Sequence, residues 1–332
     1  MSTTSRLVPA SSRTLLLTLD AFGTLFHPRL PVPEQYAATA HQFGLSPTAI
    51  TPNKLKTAFK DTFREQSRRY PNYGRADVLR GQYGGPRQWW EEVIRGSFTR
   101  VLAADNPTPL GEPQQYEGQM HNNIDLPAGV VEALLDRFAN SDGYAFYDDV
   151  VPFFQRMRKL KAAGKWSYDR IIVGVVSNSD DRVPAVLRSL GLEVGDVRAD
   201  QDRSSMELPG FEHRAGTDKA HEKSFVELSD QNLNIDIDMV ITSYEAGEEK
   251  PHRLMFDVAK RQALLVSRPW ITRSTKFSAI HVGDDLQKDC RAARAAGWQT
   301  YFMPRDQFVY YEDDVKEIGG LLDLMDKLEL AP

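Results

Sequence analysis

The sequence predicts an α/β protein built on a parallel sheet. Three observations predict it. Leu15-Leu16-Leu17-Thr18-Leu19, Ile171-Ile172-Val173-Gly174-Val175-Val176 and Ala279-Ile280-His281-Val282 are short, almost continuous apolar runs. That is the signature of strands buried on both faces. Each run stops on polar or acidic residues: Asp20, then Ser177-Asn178, then Asp284-Asp285 after Gly283. Between the first two runs lies a long stretch with helical periodicity and no convincing strand. Ligands of open α/β sheets bind outside the carboxyl ends of the strands, so the residues that end these runs are the first site candidates.

Asp20 ends the first run and is followed at once by Ala21-Phe22-Gly23-Thr24-Leu25-Phe26. A carboxylate between a buried strand and a Gly turn is presented at the sheet edge. The competing explanation is an Asp that caps a turn. The second run ends at Ser177 and Asn178, where a hydroxyl and the following backbone N–H groups can hold an oxyanion. Asp180 or Asp181 is then expected to N-cap a helix over Val183–Leu190. Lys250-Pro251 is the third element. Pro251 is expected at the first position of a helix carrying Leu254, Val258 and Ala259 on one face, with Lys250 just ahead of it. A lone lysine is usually solvated. The fourth element is Asp284, Asp285 and Asp289, a cluster that would repel itself without a cation. Hard carboxylate ligands suit Mg²⁺.

Asp, then Ser, then Lys, then an acidic cluster, in that order, resembles the four motifs of the haloacid dehalogenase (HAD) superfamily. The resemblance spans about Leu15 to Pro304. It implies a Rossmann-like core with a parallel sheet, and catalytic roles for Asp20 as nucleophile, Ser177 and Lys250. It also implies Mg²⁺ held by Asp20, the Phe22 carbonyl and Asp284, with Asp289 or Asp285 completing or orienting the shell. Within the superfamily, Tyr70-Pro71-Asn72-Tyr73-Gly74, Gln88-Trp89-Trp90 and Ser243-Tyr244-Glu245-Ala246-Gly247 look like the eukaryotic HAD-like hydrolase-domain-containing proteins of the third subtype.

Motif I departs from the phosphatase pattern. Phosphatases of the superfamily carry a second Asp two positions after the nucleophile, as general acid and base. Here that position is Phe22. The string Asp-Ala-Phe-Gly-Thr looks instead like 2-haloacid dehalogenases, which use no Mg²⁺ and lack the acidic fourth motif present here. The expected function is a Mg²⁺-dependent hydrolase of a small phosphorylated metabolite, acting through an aspartyl-phosphate. The alternatives are a 2-haloacid dehalogenase-like hydrolase and a catalytically weak protein that binds a phosphorylated ligand.

The remaining elements follow in order. Residues 14–29 and 148–332 carry the α/β pattern, and 30–147 reads as a helical insertion. The resemblance makes it a C1 cap. Its helices are expected over Glu34–Phe43, Lys54–Arg69, Arg87–Leu102 and Val130–Phe138. Leu55, Phe59 and Phe63 share one face, as do Trp90, Ile94 and Phe98. Tyr73 and Trp89, with Asn178 and Phe22, are the candidate substrate-binding residues. Aromatic rings at helical spacing are more often core, and Arg64, Arg68 and Arg69 read as a solvated helix face. The chain returns through Asp148-Asp149-Val150 and a helix Val151–Ala163. A strand is expected at Asp238–Thr242. Ahead of it, about 193–236 is a long polar insertion, a length that tends to mark function or disorder. Its Pro209-Gly210-Phe211-Glu212 is a candidate protein contact.

At 332 residues the chain can bury a large core, and its net charge of −5 gives no reason to expect nucleic acid. The single cysteine, Cys290, excludes an internal disulfide framework and suits a reducing compartment, cytoplasmic or nuclear. It reads as a packed small residue. No apolar stretch approaches a membrane span. Residues 1–13 read as a disordered terminus in preference to a mitochondrial presequence.

Overall fold

The computed structural model describes residues 13–105, 126–163, 168–199, 208–211, 235–267, 276–305 and 314–328. The expectations for the N-terminal residues and for most of the polar insertion lie outside these residues.

The first predicted run is strand β1 (Arg13–Leu19). It occupies the middle of a six-stranded sheet with β4 (Arg170–Ser177) on one side and β7 (Lys276–Gly283) on the other. Both pairings are parallel, with Leu15 opposite Ile171 and Ser278. β6 (Ile237–Thr242) and β5 (Val194–Val197) extend one flank, and β8 (Gln299–Phe302) the other. From β1 the chain therefore builds outward in both directions. This reversal opens a crevice at the carboxyl end of β1, which is where Asp20 lies.

The continuous apolar runs are explained by burial of both faces. Leu15, Leu17 and Leu19 belong to one core, and Leu16 to the other. Side chains alternate across a strand, so one run feeds two cores. The second core is closed by the helix Leu254–Ser267, through Met255, Phe256, Ala259 and Ala263, and by Trp298. Each such buried aliphatic or aromatic side chain contributes roughly 1.5–3 kcal/mol.

The helical insertion comprises α1 (Val32–Gln42), α2 (Pro52–Arg69), α3 (Pro71–Val78), α4 (Pro86–Asp105) and α5 (Val130–Arg137). α2 starts cleanly, because the Thr51 hydroxyl accepts from Lys54 N and Pro52 suits the first turn. The apolar faces meet around Tyr36, Phe59, Phe98 and Phe138. The insertion does contain a strand. β2 (Phe26–Pro28) pairs antiparallel with β3 (Tyr144–Phe146), so the outgoing and returning chain form a two-stranded neck. Three-residue strands leave no readable alternation in a sequence.

Three further expectations need correction. The polar stretch from 193 opens with β5, which pairs with β6 at the sheet edge. Its residues are only partly buried, so the apolar signature of the inner strands is missing. Pro251 stands ahead of its helix, which begins at Leu254. Helix α7 (Val183–Ser189) is preceded by Arg182 at the N-cap, with no side-chain cap, so neither Asp180 nor Asp181 plays that part. α6 (Val150–Ala163) returns the chain to the sheet much as expected. Among the described residues no helix is long and apolar enough to cross a membrane.

Candidate active site

Four sequence-distant residues meet at the carboxyl edge of β1. Lys250 is buried, and its Nζ donates three hydrogen bonds: to Asp20 Oδ1 at 2.8 Å, to Asp289 Oδ1 at 2.6 Å and to the Val176 carbonyl at 2.8 Å. The ammonium has three protons, and each has an acceptor. The backbone of Lys250 is fixed from the other side. Its N–H donates to Asn178 Oδ1 at 2.6 Å, and its carbonyl accepts from Asn178 Nδ2 at 2.8 Å. Ser177 closes β4 and is 1% exposed.

Asp20, Asp284 and Asp289 each bring a carboxylate oxygen within 4.8 Å of the others. Two glycines make this approach geometrically feasible. A Cβ on Gly23 (φ +77°) would lie 2.3 Å from Asp284 Oδ2, and one on Gly283 would lie 2.2 Å from the Asp289 side chain. Asp284 is further held by the Thr24 hydroxyl at 3.1 Å. Asp289 Oδ2 accepts from the Asp285 N–H at 3.0 Å.

The electrostatics follow from burial and count. Burial lifts Asp20 above the usual carboxylate range against the pull of Lys250. Burial opposes ionisation of Asp289 as well, but there Lys250 and His281 prevail and hold it below that range. Asp284 has no such partner. Burial, and then the charges of Asp20 and Asp289, push it up to about 6. Three carboxylates face one ammonium, and the excess negative charge makes the cluster a candidate cation site with hard oxygen donors.

The sequence candidates divide. Asp20, Ser177, Asn178, Lys250, Asp284 and Asp289 lie at the sheet edge as expected. Asp285 does not join the carboxylate cluster. Its side chain accepts from Gln287 N and Lys288 N and starts the helical turn Leu286–Arg291. Cys290 in that turn is buried, and burial pushes its thiol up to about 12. That is a packed residue, as read. Phe22 turns its ring into an aromatic cluster, edge-on to Phe26 at 4.6 Å and to Tyr144 at 5.5 Å. Trp89 is 2% exposed within the helical insertion, and its Nε1 donates to the Tyr70 carbonyl. It packs inside the insertion, away from the sheet edge.

Sequence reasoning missed the residues that join the insertion to the sheet. Trp90, the neighbour of Trp89, donates from Nε1 to Asp180 Oδ2 at 2.8 Å. Asp180 also receives the Arg182 guanidinium through Nε at 2.9 Å and through a second nitrogen at 2.8 Å. That guanidinium lies 4.7 Å from the Trp90 ring centroid and 4.5 Å from that of Phe211. Tyr73 belongs to the same seam. It sits in a left-handed turn, Asn72 to Gly74, and Asn72 Nδ2 donates to the Ser243 carbonyl at 2.9 Å. Burial and then the charge of Asp180 raise the Tyr73 hydroxyl well above its usual range. Phe211 N donates to Asp181, and Tyr244 donates to the Pro209 carbonyl, so 209–211 contacts its own chain here.

Comparison with known proteins points to HAD-like hydrolases as relatives. Residues 248–315 match the HAD-hydrolase-like family model. The chain is 26% identical over 290 residues to haloacid dehalogenase-like hydrolase domain-containing protein 3 of Xenopus laevis, covering 87% of this chain and 83% of that protein. The human protein of the same name is also 26% identical over 290 residues, covering 87% and 81%. Uncharacterized protein YMR130W of Saccharomyces cerevisiae is 25% identical over 312 residues, covering 92% and 77%. With its four motifs gathered at one sheet edge, the chain is similar to the HAD-like hydrolases, over residues 248–315 by family model and over most of its length to these relatives.

Proposed function

We propose that the chain is a Mg²⁺-dependent phosphatase of small phosphorylated metabolites. One observation carries this reading: Asp20 and Asp289, both buried against the Lys250 ammonium, with the half-buried Asp284 beside them. The trio fits a hard cation. Asp20, the Phe22 carbonyl and Asp284 would hold Mg²⁺, and Asp289, both of whose oxygens already accept protein hydrogen bonds, would orient the shell together with Lys250. When bound, Mg²⁺ would supply charge neutralisation at the phosphoryl oxygens.

The protein's own groups then perform two displacements. Asp20 attacks phosphorus and forms an aspartyl-phosphate as the leaving oxygen departs. Water hydrolyses that intermediate and releases inorganic phosphate. Lys250 and Ser177, with Asn178, neutralise and orient the phosphoryl oxygens. Tyr73 is the insertion's candidate for contact with the remainder of the substrate. Phe22 can neither give nor take a proton, so good leaving groups suit the site best. General acid–base catalysis is worth about 10²–10⁴-fold, a loss that preorganised charge can offset in part.

The test is a screen of phosphorylated metabolites with and without Mg²⁺, followed by a leaving-group series. Rate should depend steeply on leaving-group pKa, and Phe22→Asp should flatten the dependence. Melts must accompany it, because a carboxylate there displaces the ring packed on Phe26 and Tyr144. A flat wild-type series would mean that a proton donor comes from elsewhere.

A second reading rests on Phe22 itself. A 2-haloacid dehalogenase needs no leaving-group acid, and halide release persisting in excess EDTA would favour it. Tight binding of a phosphorylated metabolite without turnover would favour a weakly catalytic binding protein.

A further inference from the structure

Two polar residues interrupt otherwise apolar strands. Thr18 in β1 and His281 in β7 are both wholly buried, and the sheet register places them directly opposite each other. Their side chains meet, with Thr18 Oγ1 2.8 Å from His281 Nδ1. On the far side of the ring, His281 Nε2 lies 3.2 Å from Asp289 Oδ1. That oxygen is the one Lys250 holds at 2.6 Å. The ring face is closed by Phe256, edge-on at 5.2 Å.

The hydrogen-bond inventory orders this chain. An ionised carboxylate only accepts, so Nε2 must carry a proton. A neutral imidazole with its proton on Nε2 has a bare Nδ1, which accepts the Thr18 hydroxyl proton. Thr18 has a second acceptor in reach, the Ile280 carbonyl, but it is longer at 3.3 Å. The opposite neutral tautomer would set a lone pair against the carboxylate. Buried polar groups are costly unless paired, so this pairing has a purpose beyond filling space, which leucine would do better.

We infer that His281, oriented by Thr18, is a positioning residue for the proposed phosphoryl-transfer site. It donates Nε2–H to Asp289 and so fixes the carboxylate that shares Lys250 with Asp20. Two donors divide Asp289 Oδ1, which weakens its grip on Lys250 and leaves the ammonium directed at Asp20. Without His281, Asp289 Oδ1 has Lys250 as its remaining partner, and the Asp285 N–H on Oδ2 is left to orient the carboxylate. The inference rests on the phosphatase reading of the site, but the geometry it invokes is independent of any substrate.

The experiment compares full-length wild type with His281→Leu, His281→Gln and Thr18→Val. Leucine keeps bulk and removes the donor, whereas glutamine restores an N–H of similar reach. Imidazole ¹⁵N shifts locate the ring proton, calorimetry gives Mg²⁺ affinity without substrate, and p-nitrophenyl phosphate gives kcat and KM. Removing a partner that orients a metal-site carboxylate typically costs about 10–100-fold. The expected result is an Nε2 proton in wild type. In His281→Leu, kcat and Mg²⁺ affinity should fall by that order while KM holds, and His281→Gln should recover most of the loss. Thr18→Val should lose less than His281→Leu. An Nε2 without a proton would overturn the inference, as would glutamine and leucine variants that fall equally at equal melting temperature. If wild type hydrolyses no phosphate ester, the phosphatase reading fails. The ring proton and the Mg²⁺ affinities then still decide this one.

Discussion

Two buried charge clusters flank the loop that leaves β4, and they are built on opposite terms. Around Lys250, Asp20 and Asp289 share one ammonium while Asp284 stands beside them without a cation partner among the described residues. Beyond it, Asp180 meets Arg182 one to one, clamped by Trp90 and Phe211. Arg182 adds a bond to the Phe138 carbonyl, and Asp180 one from Trp90. The second cluster is complete in itself. Burial works against both of its ions, yet Asp180 is held below the usual carboxylate range and Arg182 above its own. The first cluster is unbalanced, and Asp284 shows it by rising to about 6. Burial and residue types are alike, so the lesson is one of count. A buried pair that balances fastens two parts of a fold, and one that does not balance asks for a ligand.

The comparison breaks most directly at Asp20. Asp20→Asn should reduce hydrolysis to background, a loss on the order of 10⁴-fold or more. The fold should survive, because Lys250 keeps Asp289 and Val176. Turnover near wild type on aryl phosphates would remove Asp20 from the nucleophile role.

Removing each cation sharpens it next. Lys250→Met and Arg182→Met should each cost roughly 3–5 kcal/mol, the usual penalty for stranding a buried charge. Denaturant melts with and without Mg²⁺ separate them. Mg²⁺ should return part of the loss in Lys250→Met by binding the stranded carboxylates, and none in Arg182→Met. Equal rescue would mean the two clusters do not differ as argued.

Asp284→Asn should weaken Mg²⁺ binding about 10–100-fold, measured by calorimetry. In metal-free protein it should raise stability slightly, since it relieves repulsion from Asp20 and Asp289. Unchanged affinity would move the cation site elsewhere.

The smallest effects lie at the clamp. Trp90→Phe removes the donor to Asp180 and should cost about 1.5–3 kcal/mol, as for a bond to a charged group. Asp180 also predicts a pH dependence. Its folded pKa is depressed below the ordinary 3.8. Its stabilisation is therefore fully present above that value and lost as pH falls through the folded value. Asp180→Asn should show a shallower acid-side loss than wild type. Parallel curves would show that Asp180 is not a source of the slope.

Much of this molecule was determined by the sequence alone. Strands β1, β4 and β7, three of the four inner strands, were legible because burial on both faces demands unbroken apolar runs. Asp20, Ser177, Lys250 and Asp284 were legible because each ends or closely follows such a run or stands just ahead of a helix. The long helices of the insertion were legible through their apolar period. Three-residue neck strands and the half-buried edge strand β5 were not, since short or one-sided burial leaves no pattern.

Only the tertiary structure decided which neighbour of a pair does the work. Trp89 reads as a substrate candidate and Trp90 as part of an apolar face, yet packing turns Trp89 into the insertion and Trp90 onto Asp180. Asp284 and Asp285 are equivalent too, yet a helix start consumes Asp285. Thr18 and His281 were visible as polar breaks in apolar strands, but their meaning depends on a register that pairs residues 263 positions apart. Local sequence sets which groups a strand can present. Long-range pairing sets what those groups face, and that determines which charges are balanced and which are left to bind.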